Sequence, residues 1–290
     1  MGRRTSVRYL SIVSAAMLAH AGCGSSGPIV DPNGADTADY TGDGTVNVVL
    51  ADGSGFVVTG TLGSGCVDVG GQCLDIPTIK QQQCGDPNAQ ADIVVVQGKV
   101  VKVICYPPKS SGVSIEQVGV AGSGGTEIPQ NKGHVVITFG DATDGKPIQG
   151  NVRLDGEKVT LFGNGIDKTI LDGNLNLASN GSHTRGLTVK GNVTFEKNSN
   201  NSTLAFCKVT GDLIVESNDV SVIACQVFGN VVVRGNGVTL IDVGVGGQLK
   251  VEGNGPTCSG LYAFKDGSGD GVVQPSERGA PLSCGGGKPK

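Results

Sequence analysis

A short pattern recurs through the second half of the sequence and restricts the fold more than any other feature. It begins with glycine, continues with a polar residue and ends with three residues of which the first and third are apolar. Its six copies occupy residues 150–154, 173–177, 191–195, 211–215, 229–233 and 247–251. Successive copies start 23, 18, 20, 18 and 18 residues apart. Such a period is typical of a solenoid, whose units bury their apolar faces only by stacking on one another.

The repeat units contain three short stretches in which apolar residues alternate with others, a pattern that indicates β-strands. For the units at 207–224 and 225–242, the residues predicted to face a shared interior are Cys207, Val209, Leu213, Val215, Val220, Val222, Cys225, Val227, Val231, Val233, Val238 and Leu240. Units of this length are too short for paired helices or propeller blades, and they lack the leucine spacing of leucine-rich repeats. The sequence therefore predicts an all-β chain built around a parallel β-helix.

Turn-forming residues recur at one place in successive units. The pairs are Asn218-Asp219, Asn236-Gly237 and Asn254-Gly255. Asn, Asp and Gly tolerate the left-handed backbone conformation that a tight corner needs. We therefore expect one corner of each coil at these pairs.

The stretch from Gly163 to Gly173 reads GNGIDKTILDG and is followed by the repeats. It resembles the right-handed parallel β-helix of pectate-lyase-like proteins, and the resemblance covers roughly residues 133–260. It implies a right-handed helix of about six to seven coils. The family includes polysaccharide lyases, polygalacturonases, epimerases and adhesins, so the resemblance sets the architecture without choosing among these functions.

The first 22 residues resemble a bacterial lipoprotein signal peptide. Arg3, Arg4 and Arg8 precede a short apolar run, and small residues lead to Cys23. We expect lipidation of Cys23, a flexible tether over 23–44 and anchoring at the cell envelope, at the outer membrane. His20 stands where a lipoprotein signal usually has an aliphatic residue, which leaves a plain secretory signal as the alternative.

The nine cysteines fit an exported protein, because lipidation of one leaves an even number in an oxidising compartment. Proximity in the sequence makes Cys66 with Cys73, Cys84 with Cys105, and Cys258 with Cys284 the candidate disulfides, while the sequence alone leaves the connectivity open. Cys207 and Cys225 are one coil apart, so they are predicted either to form a fourth disulfide or to stack as buried thiols. The chain has no Cys-x-x-Cys pair, and its three histidines are scattered, so zinc and haem have no support.

The remaining chain divides into four parts. Residues 45–110 are predicted to form a small β-hairpin unit, stabilised by disulfides because so small a unit buries little core. A glycine-rich connector is predicted over 111–133, the parallel β-helix over 134–260, and a C-terminal segment over 261–290. A short helix is expected around 76–83. The formal net charge of −4 and the absence of a basic cluster argue against nucleic acid as a partner.

An acidic loop near the C-terminus matches a twelve-residue calcium loop. Its predicted ligands are Asp266, Ser268, Asp270, the carbonyl of Val272 and Glu277. Calcium bound there would have a structural role. The same stretch also resembles the opening of a cysteine-rich repeat of myxobacterial surface proteins, and an ordinary surface turn is the third alternative.

Charged residues follow five of the six pentads and form a column along the stack: Asp155, Glu196, Glu216, Arg234 and Glu252. The last three alternate in sign and are predicted to form a ladder of ion pairs. Glu196 and Glu216 are predicted to lie about 5 Å apart, a carboxylate spacing that retaining glycosidases use. Asp155, Glu196 and Glu216 are therefore the candidate residues for an enzymatic alternative.

The loops between coils are short, whereas active-site grooves are usually walled by longer excursions. We therefore expect a non-enzymatic cell-envelope lipoprotein with a structural or surface-binding β-helix. The expected partner is an envelope polysaccharide or protein, met on a flat strand face. The alternative is a polysaccharide-active hydrolase, lyase or epimerase.

Overall fold

A computed structural model describes residues 46–49, 55–60, 66–69, 72–115 and 135–285. Residues 1–22 and Cys23 lie outside these ranges, as do residues 24–44 of the predicted tether. The N-terminal unit consists of β1 (Val46–Val49), β2 (Gly55–Gly60), β3 (Cys66–Val69), β4 (Gln72–Asp75), α1 (Ile76–Cys84), β5 (Gln90–Val96) and β6 (Lys99–Tyr106).

The strands of the β-helix follow in chain order. The first eleven are β7 (Val113–Ile115), β8 (Val136–Phe139), β9 (Ile148–Gln149), β10 (Val152–Leu154), β11 (Thr160–Phe162), β12 (Ile170–Asp172), β13 (Leu175–Leu177), β14 (His183–Arg185), β15 (Thr188–Val189), β16 (Val193–Phe195) and β17 (Thr203–Ala205). The others are β18 (Lys208–Val209), β19 (Leu213–Val215), β20 (Ser221–Val227), β21 (Val231–Val233), β22 (Thr239–Val245), β23 (Leu249–Val251), β24 (Thr257–Ser259), β25 (Tyr262–Phe264) and β26 (Arg278–Pro281).

Parallel pairing arranges these strands into three faces. Face A contains β7, β8, β11, β14, β17, the first halves of β20 and β22, and β24; face B contains β9, β12, β15, β18, the second halves of β20 and β22, and β25. Face C is a six-stranded sheet in the order β10-β13-β16-β19-β21-β23. The prediction of an all-β parallel β-helix is confirmed.

The solenoid makes about five turns, fewer than the predicted six to seven coils. The outermost coils are incomplete, since β7 adds a strand to face A only, and β24 and β25 extend faces A and B beyond the last strand of face C. β7 also lies inside the predicted connector. It pairs in parallel with β8 because its alternating Val-Ser-Ile sequence suits a strand.

The interior of the β-helix is one continuous apolar cluster from Val135 to Leu261. All twelve residues that the repeat predicted to face inward are buried in it, at 0–2% exposure. Period-2 alternation identified them because each strand has one inward and one outward face. At about 25 cal/mol for each Å² of apolar surface, this shared core supplies the main stabilisation of the stack.

Each coil turns three corners. The predicted Asn-Gly corner between faces C and A is present, with φ of 55° at Asp219 and 64° at both Gly237 and Gly255. The corner between faces A and B is a single left-handed residue, and in two coils it is Phe206 or Ala224, with φ of 51° and 49°. Non-glycine residues avoid this conformation unless the surrounding structure imposes it, so this corner carried no sequence signal.

The N-terminal unit packs on face A. Its antiparallel sheet, in the order β1-β2-β5-β6, places Val57, Val94 and Ile104 against outward residues of face A such as Phe162 and Ile223. The opposite side of the sheet packs on α1 through an apolar cluster that includes Val58, Ile76, Ile93 and Val95. The Cys84–Cys105 disulfide joins α1 to β6.

The helix α1 begins and ends where the sequence has capping residues. The Asp75 carboxylate accepts a hydrogen bond of 3.2 Å from the Thr78 amide, and Gly85 ends the helix with φ 76°. Thr78 also holds the pKa of Asp75 below its usual value, because its hydroxyl and amide both donate to that carboxylate.

The C-terminal segment, residues 265–285, folds back onto the end of face B. β26 pairs antiparallel with β25, and Val273 packs in a buried cluster with Tyr262, Phe264 and Phe228. The Cys258–Cys284 disulfide ties the end of this segment to β24.

The other predicted cysteine pairs have different outcomes. Cys207 and Cys225 are buried free thiols, which is the second of the two alternatives. Their Sγ atoms donate to the carbonyls of Ala205 and Ile223, at 3.1 and 3.2 Å. Cys66 and Cys73 lie on the paired strands β3 and β4, but their side chains are outside the described set.

Candidate functional site

The polar residue of each pentad forms a hydrogen-bonded ladder along the corner between faces B and C. In the first five copies, the side-chain oxygen accepts a bond of 2.7–2.9 Å from the backbone N–H of the equivalent residue in the next coil. We call this set the pentad ladder: Asn151, Asn174, Asn192, Asp212, Asn230 and Gln248. The ladder gives hydrogen-bond partners to backbone amides at the corner that would otherwise lack them, and it fixes the register of neighbouring coils.

The glycine before each ladder residue from Asn174 to Gln248 is required by close packing. A Cβ at Gly229 would lie 2.4 Å from Asp212 Oδ1 and 2.6 Å from the Gly211 carbonyl oxygen. A Cβ at Gly191 would lie 2.5 Å from Asn174 Oδ1. Glycine and the polar residue therefore form one unit, because only glycine leaves room for the side chain that bonds the next coil.

A second asparagine ladder follows the corner between faces C and A. The side-chain oxygens of Asn180, Asn200, Asn218 and Asn236 accept bonds of 2.8–3.1 Å from the next coil's backbone, ending at Asn254. Face C is thus bordered on both sides by ladders of hydrogen bonds between neighbouring coils.

The outward column of face C lies between these ladders. In register, it consists of Arg153, Asn176, Thr194, Ile214, Val232 and Lys250. The two basic residues at its ends are exposed and the four residues between them are half-buried. The column combines hydrogen-bonding groups, aliphatic surface and terminal positive charge.

The predicted ladder of ion pairs is present beside that column. Arg234 bonds Glu216 at 3.0 Å and Glu252 at 3.3 Å, and Lys250 bonds Glu252 at 2.6 Å. Lys250 and Arg234 hold the pKa of Glu252 below its usual value, through hydrogen bonds and their positive charge. These side chains are about one-third to two-thirds exposed, so each pair contributes little to stability.

The candidate catalytic carboxylates lie in the column of charged residues that contains these ion pairs. Glu196 is ion-paired with Arg153, two coils away, and Glu216 is paired with Arg234. The Asp155 backbone carbonyl accepts a bond from the Ser179 hydroxyl. The structure therefore joins Glu196 and Glu216 to different arginines, within a charged ladder on an exposed surface.

The acidic loop, residues 266–277, is held by hydrogen bonds between its own carboxylates and amides. Asp266 accepts bonds from the amides of Gly269 and Gly271 at 2.6 and 3.0 Å. Glu277 Oε1 accepts bonds from the Gly267 and Ser268 amides at 2.9 and 3.0 Å. Amide donors also hold the pKa of Glu277 below its usual value, with Gln274 contributing most.

The other predicted calcium ligands are near these groups. Asp270 Oδ1 accepts a bond of 2.8 Å from the Val272 amide, and the Ser268 hydroxyl contacts Asp266 at 3.1 Å. Within residues 46–285, as far as they are described, no three His, Cys, Asp or Glu side chains are close enough to hold a metal ion. Calcium at this loop stays a prediction.

Lys208 of face B reaches under the acidic loop. Its ammonium donates to the Gly271 carbonyl and lies 5.2 Å from the centre of the Phe228 ring. Burial lowers the pKa of Lys208, while the nearby carboxylates of Asp167, Asp266 and Asp270 act in the opposite direction. Lys208 thus ties the loop to the β-helix.

A buried polar cluster joins the N-terminal unit to face A. Arg185 pairs with Asp92 at 3.2 Å, and both side chains are at most 1% exposed. The Tyr106 hydroxyl donates to the other oxygen of Asp92 at 2.5 Å. Burial raises the pKa of Tyr106 well above its usual value, so the hydroxyl keeps the proton that it donates. The Arg185 guanidinium also lies 4.7 Å from the centre of the Phe206 ring.

His183 lies beside this cluster. Its ring packs edge-on against Tyr106, with 5.5 Å between ring centres. Burial lowers its pKa to about 4, against the opposing charge of Asp92, so its imidazole is neutral at pH 7. Sequence reasoning missed the whole cluster, because Asp92 and Arg185 are 93 residues apart and no local pattern connects them.

A cavity of about 310 Å³, which we call the seam cavity, opens beside His183 between the N-terminal unit and face A. Cys105 and Pro107 line it from the N-terminal unit, and Thr160, His183, Lys158 and Asn201 line it from the β-helix.

Among the described residues, no helix is long and apolar enough to cross a bilayer.

No family model, no curated protein and no solved structure matches this chain.

Proposed function

We propose that this chain is a non-enzymatic cell-envelope protein whose β-helix presents face C to a surface polysaccharide or to another envelope protein. The observation that carries the proposal is the unequal covering of the three faces. The N-terminal unit packs on face A, and the C-terminal segment packs on the end of face B. Neither of these described segments covers the outward column of face C, which is exposed at its two ends and half-buried between them.

The chemistry of face C suits an extended neutral or mixed-charge partner. Ile214 and Val232 form a small apolar strip, and Asn176 and Thr194 continue it with hydrogen-bonding groups. Both borders carry polar ladders, and the three cations of face C pair with three of the glutamates beside them. Such a surface can contact the apolar and hydroxyl groups of a polysaccharide, or the strand or loop of a protein.

The rigidity of the face supports this function. Hydrogen bonds from one coil to the next hold both borders of face C, and a continuous apolar core lies beneath it. A surface that is already ordered loses little conformational entropy when it binds.

Lipidation of Cys23 would place this surface at a membrane. The support is the basic start of the sequence, the apolar run after it and the small residues before Cys23. Incorporation of radiolabelled fatty acid, abolished in Cys23→Ala, would establish the anchor. Equal labelling of the variant would leave a plain secretory signal as the explanation.

The binding proposal is tested by placing a charge in the apolar strip. Glycan arrays and pull-downs from envelope fractions are carried out with the wild-type chain and with Val232→Arg. We expect the variant to lose a partner that the wild type retains. Ile170→Arg is the matched control, since Ile170 is a half-buried aliphatic residue facing outward from face B. Equal loss in both variants, or retention in Val232→Arg, would contradict the proposal.

The enzymatic alternative requires its own assay. Any glycan that binds is incubated with the chain, and reducing ends and unsaturated products are measured. Turnover that disappears in Glu216→Gln but persists in Glu252→Gln would replace the binding proposal with a polysaccharide-active enzyme. Glu252 is the control because both carboxylates bond Arg234.

A further inference from the structure

The seam cavity differs from face C in position and in chemistry. Its volume of about 310 Å³ is equivalent to about ten water molecules at their share of the liquid volume. That is the lower end of the range for small-molecule pockets. The cavity lies between two parts of the chain, a common position for such pockets.

Two buried polar atoms at the cavity lack hydrogen-bond partners. They are Thr160 Oγ1 and His183 Nδ1. Thr160 is only 1% exposed. Thr160 on β11 and His183 on β14 are paired in register. Leu161, the next residue after Thr160, points into the core, so the side chains of Thr160 and His183 both point outward from face A. Buried polar atoms are almost always bonded, so this pair indicates a missing partner.

One hydroxyl group could satisfy both atoms. A hydroxyl donates one hydrogen bond and accepts others. It can accept from the Thr160 hydroxyl while donating to the unprotonated nitrogen of the neutral His183 ring. The adjacent strands are about 4.8 Å apart, so a group held between the two side chains is within reach of both.

The charge of the residues around the cavity indicates a second functional group on the ligand, in addition to the hydroxyl. The residues that line the cavity include one cation, Lys158, and no carboxylate. Lys158 is exposed, so its ammonium is free to move at the mouth. The nearby Asp92 carboxylate is bonded to Tyr106 and Arg185. A ligand with a single negative charge therefore fits the mouth, and an apolar body fits against Pro107 and the Cys84–Cys105 disulfide.

We propose that the seam cavity binds a small hydroxycarboxylic acid, with its hydroxyl between Thr160 and His183 and its carboxylate at Lys158. This site is independent of face C, and no chemical conversion of the ligand is involved.

Three related probes test the two polar contacts separately. 4-Hydroxybenzoate carries both groups, benzoate lacks the hydroxyl, and 4-hydroxybenzamide lacks the charge. In titration calorimetry with the full chain, we expect 4-hydroxybenzoate to bind at least about fivefold more tightly than either of the others, because benzoate cannot form the two hydrogen bonds and the amide cannot form the ion pair.

Two variants assign those preferences to residues. Thr160→Val keeps the shape of the side chain, and it should reduce the preference for 4-hydroxybenzoate over benzoate, because only the hydrogen bond to His183 would remain. Lys158→Gln should remove the preference for 4-hydroxybenzoate over the amide. Lys99→Gln, an exposed lysine at the β5–β6 turn, is the control and should change neither ratio.

Failure of all three probes to bind would overturn the proposal and leave the cavity as a water-filled gap. Binding with unchanged ratios in both variants would overturn it as well. Circular dichroism checks the folding of Thr160→Val. If that variant does not fold, the exposed Lys158→Gln still decides the charge contact. Val232→Arg, which changes face C, should leave probe binding unaltered, so the two proposals can fail separately.

Discussion

Asp92 and Arg185 form an ion pair of 3.2 Å that is buried between the N-terminal unit and face A. One residue belongs to β5 and the other to β14, so the pair joins two parts of the chain that are stabilised by separate apolar clusters. Tyr106 and the ring of Phe206 also contact the pair. A charge buried in this way is stable only while its partner is present.

Asp92→Asn should therefore lower the free energy of unfolding by about 3–5 kcal/mol, because the buried charge of Arg185 would lose the carboxylate that pairs with it. Urea denaturation followed by circular dichroism measures this change. Asp172→Asn is the control, since Asp172 forms an exposed pair of 3.9 Å with Lys190, and it should cost less than 1 kcal/mol. Similar losses in the two variants would contradict the special role of the buried pair.

The close approach of coils at the pentad glycines leads to a second prediction. Gly229→Ala would place a methyl group 2.4 Å from Asp212 Oδ1 and force that ladder residue away from the Asn230 amide. We expect a loss of about 1–3 kcal/mol, the usual cost of overpacking.

Gly267→Ala provides the comparison, since the nearest atom to its new methyl group would be Glu277 Oε1 at 3.6 Å, an ordinary contact distance. Its midpoint in urea should match that of the wild type. If Gly229→Ala were as stable as Gly267→Ala, close packing between coils would not be the reason for glycine in the pentad.

The sequence predicted the features that depend on local periodicity. Alternation identified the inward residues such as Val231 and Val233, and the 18-residue spacing placed Glu216 and Glu252 on either side of Arg234. In a solenoid, residues one repeat apart become neighbours, so contacts between coils can be read from the period alone.

Contacts between different parts of the chain could not be predicted in this way. Nothing in the sequence distinguishes Arg185 from an outward, solvated arginine, because its burial is created by the N-terminal unit. The corner at Phe206 was missed for a similar reason, since stacking between coils imposes its left-handed backbone against its own preference.

The acidic loop gives a third prediction. If the loop binds calcium, excess calcium should raise the melting temperature of the wild-type chain, because a ligand that binds only the folded state stabilises it. Asp270→Ala removes one candidate ligand and should abolish the increase. Asp219→Asn, an exposed carboxylate at a left-handed corner that asparagine tolerates, should retain it. The absence of heat on calcium titration, together with equal melting temperatures, would leave the loop as a hydrogen-bonded turn.

His183 gives the last prediction, because its pKa is lowered by burial to about 4 from the ordinary value of 6.5. Below pH 6.5 the unfolded chain gains a proton that the folded chain does not accept until about pH 4. The free energy of unfolding should therefore fall as the pH decreases from 6.5 to 4, by on the order of 3 kcal/mol, and be insensitive to this residue above pH 6.5. Urea denaturation at a series of pH values measures the slope for the wild type and for His183→Phe, which keeps an aromatic ring against Tyr106. The difference between the two curves isolates His183, since carboxylates with lowered pKa values, such as Asp75, are common to both proteins. Parallel curves would show that His183 titrates normally in the folded chain and that its imidazole is not held neutral at the seam.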